Sequence, residues 1–141
     1  MIKVNVEVNK KTWHKKINNP KRYFNKKIKK IYRSLKFFSK TNITFTVLLT
    51  GSSYIKKLNK KFRGKNKPTD VLSFPFFSLK NLKYVKKKNF YAGDIAISYE
   101  IINSRSKKNS FHLEFDKVWV HGFLHLLGYN HVKNKDYFHS I

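Results

Sequence analysis

His121-Gly122-Phe123-Leu124-His125-Leu126-Leu127-Gly128-Tyr129-Asn130-His131 is the stretch from which the rest of the chain is read. His121 and His125 are four residues apart, so a helix stacks their imidazoles on one face, one turn apart. Two imidazoles so placed can reach one metal ion. Gly128 follows the last apolar run and suits the left-handed conformation that ends a helix. The chain can then turn back and deliver His131 as a third ligand. Three histidines leave one coordination position open, as catalytic zinc sites do and structural ones do not. The chain has no cysteine, so a metal here must sit among nitrogen and oxygen donors. Imidazole suits zinc first, with copper, iron or nickel as alternatives. The expectation is one zinc ion held by His121, His125 and His131 and used for hydrolysis.

The spacing H-x-x-x-H-x-x-G-x-x-H is also that of the metzincin proteases. Two features argue against peptidase chemistry. The glutamate that serves those enzymes as general base, directly after the first histidine, is Gly122 here. The methionine turn that follows their third histidine is missing too, because Met1 is the sole methionine.

Reading outward from the histidines, Leu113 to Leu127 is expected to be a helix, preceded by a short one from Tyr99 to about Lys108. Ala92 to Ser98 and Asp70 to Phe77 read as strands. Pro75 interrupts the second of these and favours an edge or a bulge. Between the two lies a lysine-rich connection, Ser78 to Asn89. Asn42 to Leu49 is β-branched and apolar, a further strand. Thr50-Gly51-Ser52-Ser53 breaks it and can cap a helix carrying Tyr54, Ile55, Leu58 and Phe62. Pro20 to Phe38 spaces Phe24, Ile28, Ile31, Leu35 and Phe38 helically, and Ile2, Val4, Val6 and Val8 alternate as a half-buried strand. The order is β, α, β, α, β, β, α, α. This predicts an α+β fold: one small mixed sheet of about four strands packed with helices, spanning residues 1–141 as a single domain with a zincin-like three-histidine site.

A second group of residues belongs with the first. Leu58-Asn59-Lys60-Lys61-Phe62-Arg63-Gly64-Lys65-Asn66-Lys67-Pro68-Thr69-Asp70-Val71-Leu72-Ser73-Phe74-Pro75 is a helix end, a basic turn and a strand. Arg63 is one of 4 arginines among 28 lysines. In a chain that favours lysine, an arginine at a turn suggests a need for its fork, which grips phosphate oxygens in pairs. The plainer reading, a surface arginine at the end of its helix, stays open. Asp70 and Asp94 each precede an apolar strand. Either can accept the free N–H of a zinc-bound histidine or simply bond loop amides.

The formal net charge is +25, and a field of that strength attracts polyanions, nucleic acid first among them. A coding sequence rich in A and T would produce the same surplus of Lys, Asn, Ile, Phe and Tyr without selection for charge, so both readings stand. Basic side chains beside Tyr23-Phe24 and Phe90-Tyr91 can hold single-stranded RNA by charge and stacking, although core packing is the commoner role for such rings. No run approaches a membrane span and the N-terminus lacks an apolar signal core. The absence of cysteine fits a reducing compartment, and a cytoplasmic location is expected.

Together, LNKKFRGKNKPTDVLSFPF at 58 to 76, GDIAIS at 93 to 98 and HGFLHLLGYNH at 121 to 131 resemble the YbeY family of bacterial endoribonucleases. Their order and spacing match as well, so the resemblance spans most of the chain. It implies zinc on the residues matching His121, His125 and His131, and a functional role for the arginine matching Arg63. It also implies a metal-dependent endoribonuclease, specific for single strands, that acts in 3′-end maturation of small-subunit ribosomal RNA and in ribosome quality control. The chain departs from the family in two places. Asn130 stands where the family has Asp, so an amide rather than a carboxylate would orient His131. The acidic, methionine-containing helix that usually follows is replaced by a short end at Ile141. Two other classes of function remain open at this point: an RNA-binding ribosome-assembly factor with purely structural zinc, and another zinc hydrolase.

Overall fold

The alternation of Ile2, Val4, Val6 and Val8 becomes strand β1 (Ile2–Val8) in the computed structural model, which describes residues 1–35, 41–77 and 89–129. β2 (Asn42–Thr50) runs parallel to it, with Ile2 opposite Ile43 and Val8 opposite Leu49. Ile43, Phe45, Val47 and Leu49 of β2 are fully buried. β4 (Asn89–Ser98) lies parallel to β2 on its other side, and β3 (Val71–Pro75) closes the sheet antiparallel to β4. The order is β1-β2-β4-β3.

β3 is thus an edge strand. Ser98 donates its N–H to the Asp70 carbonyl at 2.9 Å, and Phe76 donates to Ala92 at 3.0 Å. The even-numbered residues of β3 therefore turn their backbone groups toward β4, and Val71, Ser73 and Pro75 turn theirs to the open edge. Pro75 sits where no ladder N–H is needed, which is why a proline is tolerated in this strand.

β4 carries one extra residue. Thr44 faces Tyr91 and Phe45 faces Gly93, so Ala92 is bulged. Gly93 has φ +137, and a Cβ there would run into the Phe74 carbonyl. This glycine lets β3 approach β4 at the bulge.

Two helices cover one face of the sheet. α1 (Pro20–Tyr32) starts at Asn19, whose side chain accepts the Arg22 N–H at 3.1 Å, and buries Phe24, Ile28 and Ile31. The expected helix to Phe38 overshoots: the helix ends at Tyr32, the Leu35 N–H turns back to the Tyr32 carbonyl at 3.1 Å, and residues 36–40 lie outside the described residues. The second is α4 (Phe111–Leu126), capped by Ser110, which accepts the Leu113 N–H at 3.0 Å. Phe45 of β2 and Phe123 of α4 bring their rings within 4.4 Å, and burying a side chain of this size contributes roughly 1.5–3 kcal/mol. α1 and α4 are joined by buried Asp116, which accepts from Tyr23 Oη at 2.7 Å and Trp119 Nε1 at 2.9 Å and pairs with Lys27 at 3.1 Å. Burial first, then the Asp116 bond, pushes the Tyr23 hydroxyl far above the usual phenol range, so it remains a donor.

α2 (Ser52–Arg63) covers part of the opposite face, packing Ile55 against Leu72 and Ala96. Its start differs from the expected serine cap. No side chain of the Thr50–Ser53 turn caps it; instead Glu100, on the short helix α3 (Tyr99–Arg105), accepts the Ser52 N–H at 2.6 Å. A single turn of 3-10 helix, Lys11–Lys15, is the one described element without a sequence signal. It buries Trp13, which donates to the Thr50 carbonyl at 2.8 Å and packs against Tyr99, Phe111 and Phe115. One turn is too short to show periodicity.

Candidate metal centre

α4 is apolar almost all round and is buried along most of its length. Its last two turns carry His121, half-buried, and His125, exposed, on the one stripe that leaves the core. Gly122 lies between them but points elsewhere. It is buried against the sheet, where an added Cβ would meet Ile95 Cγ2 at 3.0 Å, Ser73 Oγ at 3.2 Å and Val71 Cγ2 at 3.2 Å. A glutamate at 122 would thus collide with β3 and β4, so the position that holds the protease base is taken up by packing.

The helix ends as the sequence predicts. Gly128 has φ 85, its N–H reaches the His125 carbonyl at 3.1 Å, and Tyr129 N–H reaches Leu124 at 3.0 Å. This pair of bonds closes a helix end and reverses the chain. Asn130 and His131 lie outside the described residues, so two of the three expected ligands are described. Among the described residues no group of three or more His, Cys, Asp or Glu is gathered as a metal site.

Arg63 is the last residue of α2. Gly64 follows with φ 67, and buried Asn59 holds the returning turn by donating to the Lys67 carbonyl at 2.9 Å. The turn carries the exposed Arg63 side chain over the edge of the sheet, where Nη2 donates to the Ser73 carbonyl at 2.9 Å. Ser73 in turn donates from Oγ to the Gly122 carbonyl at 3.3 Å. Arg63 is therefore tied through one residue of β3 to the helix that carries His121 and His125. Ser73 escaped the sequence reading because a serine inside an apolar strand has no spacing signal; only the sheet shows what it bridges.

The two aspartates are placed differently. Asp70 accepts from the Val71 N–H at 2.8 Å and forms an ion pair with Arg105 of α3 at 2.6 Å. Asp94 lies on the sheet face turned away from α4 and accepts from Tyr91 Oη. The structure brings neither carboxylate to a histidine of α4. Of the aromatic pairs, Phe24 and Phe90 are core residues and Tyr23 is held by Asp116, while Tyr91 opens onto the far face. His14 donates from Nδ1 to the Asn18 carbonyl at 3.3 Å, and His112 packs beside Tyr23.

Comparison with known proteins bears on the family and the fold. Residues 7–139 match the family model described as Endoribonuclease YbeY. A Pelagibacter ubique protein named Endoribonuclease YbeY is 49% identical over 97% of this chain and 88% of its own. A Buchnera aphidicola protein of the same name, from the pea-aphid strain, is 41% identical over 84% of this chain and 73% of its own. The solution structure of TM1509 from Thermotoga maritima superposes with a TM-score of 0.59 at 26% identity, covering 99% of this chain and 88% of that one.

Proposed function

The chain belongs to the YbeY endoribonuclease family, and on that premise we propose that it is a zinc-dependent endoribonuclease specific for single-stranded RNA. Its proposed work is 3′-end maturation of small-subunit ribosomal RNA and ribosome quality control, with the small ribosomal subunit as partner and the cytoplasm as location. The observation that carries this reading is the Arg63–Ser73–Gly122 chain, which holds a phosphate-gripping side chain against the helix that bears two histidines at ligand spacing.

The residues fit zinc. His121 and His125 share the stripe of α4 that escapes burial, and α4 stops before Gly128, three residues ahead of His131 in the sequence, as delivery of a third ligand requires. Zinc held by these three would supply a Lewis acid and an acidified water without needing a carboxylate base. The rest is done by the chain. Arg63 spends one N–H on Ser73, which aims the guanidinium, and keeps its other donors for the phosphoryl oxygens on which charge develops. Gly122 keeps the helix pressed to β3, so the histidines and Arg63 hold their separation. Attack by water or by the neighbouring ribose 2′-hydroxyl is compatible with these roles. No helix among the described residues is long and apolar enough to cross a membrane.

The test is cleavage of a labelled single-stranded RNA, with metal content measured on the same sample. Cleavage that follows zinc on stripping and refilling, and disappears in His125→Ala, supports the reading. Stoichiometric zinc and RNA binding without cleavage would transfer the protein to the non-catalytic assembly factors.

A further inference from the structure

The sheet face turned away from α4 holds a cleft of about 630 Å³ between α2 and the flank of β1 and β2, within the size range of small-ligand sites. Its walls are rings: Tyr54, Phe62, Phe74 and Tyr91. Tyr54 and Phe62 are 43% and 57% exposed. Phe62 and Phe74 lie 5.4 Å apart at one end, and exposed Phe76 lies 5.8 Å from Tyr91 at the other.

The floor is polar. Tyr91 Oη bonds Thr46 Oγ1 at 2.7 Å and donates to Asp94 Oδ1, and Glu7 lines the same space. In a chain of charge +25, acids are expected to find cations, and most do. Asp70 pairs with Arg105, Glu100 with Lys10, Glu114 with Lys117 and Asp116 with Lys27. Among the described residues, Glu7 and Asp94 are the two acids without an ion pair, and both face this cleft. The cleft thus joins flat apolar walls to strong acceptors that no cation among the described residues has claimed.

A nucleobase matches both halves of that surface: its face stacks on rings and its edge supplies N–H donors. The position favours the same ligand that Arg63 would hold. Arg63 follows Phe62 on α2 and reaches over the edge of β3, so an RNA strand crossing that edge can place a phosphate at Arg63 and a base in the cleft. Among the four bases, guanine alone sets two donors side by side, N1–H and the 2-amino group, opposite the two oxygens of a carboxylate. Adenine and cytosine set an acceptor nitrogen beside their amino group, and uracil flanks its one N–H with carbonyls.

We propose that the cleft is a base-recognition subsite that takes an unstacked guanine, stacked on its aromatic wall and bonded through N1–H and the 2-amino group to Asp94. This rests on the single-stranded RNA substrate proposed above and adds a sequence preference to it.

The experiment uses the full chain and two short single-stranded oligonucleotides that differ at one position, guanosine in one and inosine, which lacks the 2-amino group, in the other. Affinity and cleavage are read separately. Wild type is expected to bind the guanosine oligonucleotide about tenfold more tightly, the scale of one good carboxylate–base contact. Asp94→Asn is expected to bring the guanosine oligonucleotide down to the inosine level. Phe62→Ala, at an exposed position, should weaken both oligonucleotides alike through lost stacking. Equal affinity of wild type for the two, or equal losses on both in Asp94→Asn, overturns the subsite. So does an arginine-rich peptide that binds through Asp94 while guanosine and inosine remain undistinguished, because the cleft then receives a protein. Guanosine preference in binding without any cleavage would support the subsite while removing the nuclease reading; cleavage without preference would do the reverse.

Discussion

Arg63 and Gly122 lie on different helices at opposite sides of the sheet edge, yet Ser73 joins them, accepting from the Arg63 guanidinium at 2.9 Å and donating to the Gly122 carbonyl at 3.3 Å. The edge strand is the common support for both parts of the site. Anything that shifts β3 relative to α4 therefore changes the distance between Arg63 and the histidines.

Gly122→Ala tests that support. The new methyl group would press on Ile95, Ser73 and Val71 at 3.0–3.2 Å, and overpacking of this kind costs about 1–3 kcal/mol. Thermal and denaturant unfolding should show the loss, and zinc affinity should fall with it. Unfolding curves that superpose on wild type would mean that the helix is free to move off the sheet.

Arg63→Lys and Arg63→Ala separate charge from fork geometry. The side chain is exposed and contributes one hydrogen bond, so stability should change by no more than about 1 kcal/mol. Turnover should drop on the order of 10²–10³-fold in Arg63→Ala, the usual effect of removing one donor to a developing oxyanion. The lysine variant should recover only part of it, because an ammonium cannot pair with two phosphate oxygens. Full turnover in the alanine variant would leave Arg63 with a capping role alone.

Zinc removal has a readout that does not depend on RNA. A metal that binds the folded chain alone raises the melting temperature by mass action, equivalent to about 2.7 kcal/mol at a hundredfold excess over Kd. Stripped wild type should therefore melt lower and recover on addition of zinc, and His125→Ala should show no such recovery. An identical zinc response in that variant would place the metal elsewhere.

Glu100 makes the start of α2 sensitive to acid. Burial raises its carboxyl, but the Ser52 N–H and Lys10 outweigh it, and the net shift is downward. A carboxyl held below its unfolded value adds stability above that value, about pH 4.3, and loses it as the pH falls through the lowered folded value. Glu100→Gln should destabilise by about 1 kcal/mol near neutrality, the scale of a helix-start bond. The gap to wild type should close in acid. A gap independent of pH would show that shape rather than charge holds the turn.

Periodicity carried most of the fold because it records which side of each element is buried. Val4 and Val6, Phe24 and Ile28, Ile43 and Phe45 lie at the spacings their elements require, and the sheet and helices follow from them. Local chemistry carried half of the candidate site, since two histidines four apart and a glycine three further on need only a helix and its end. The tertiary structure alone decided the rest. The residue that joins Arg63 to α4 is a serine with no pattern of its own, and Asp70 and Asp94 look alike in sequence. One was drawn to Arg105 and the other to the far face, because alternation along a strand reverses direction at every residue and the bulge at Ala92 sets which direction Asp94 takes. Spacing along the chain records contacts within one element; contacts between elements depend on sheet order, register and edge, and those become physical facts only when the layers pack.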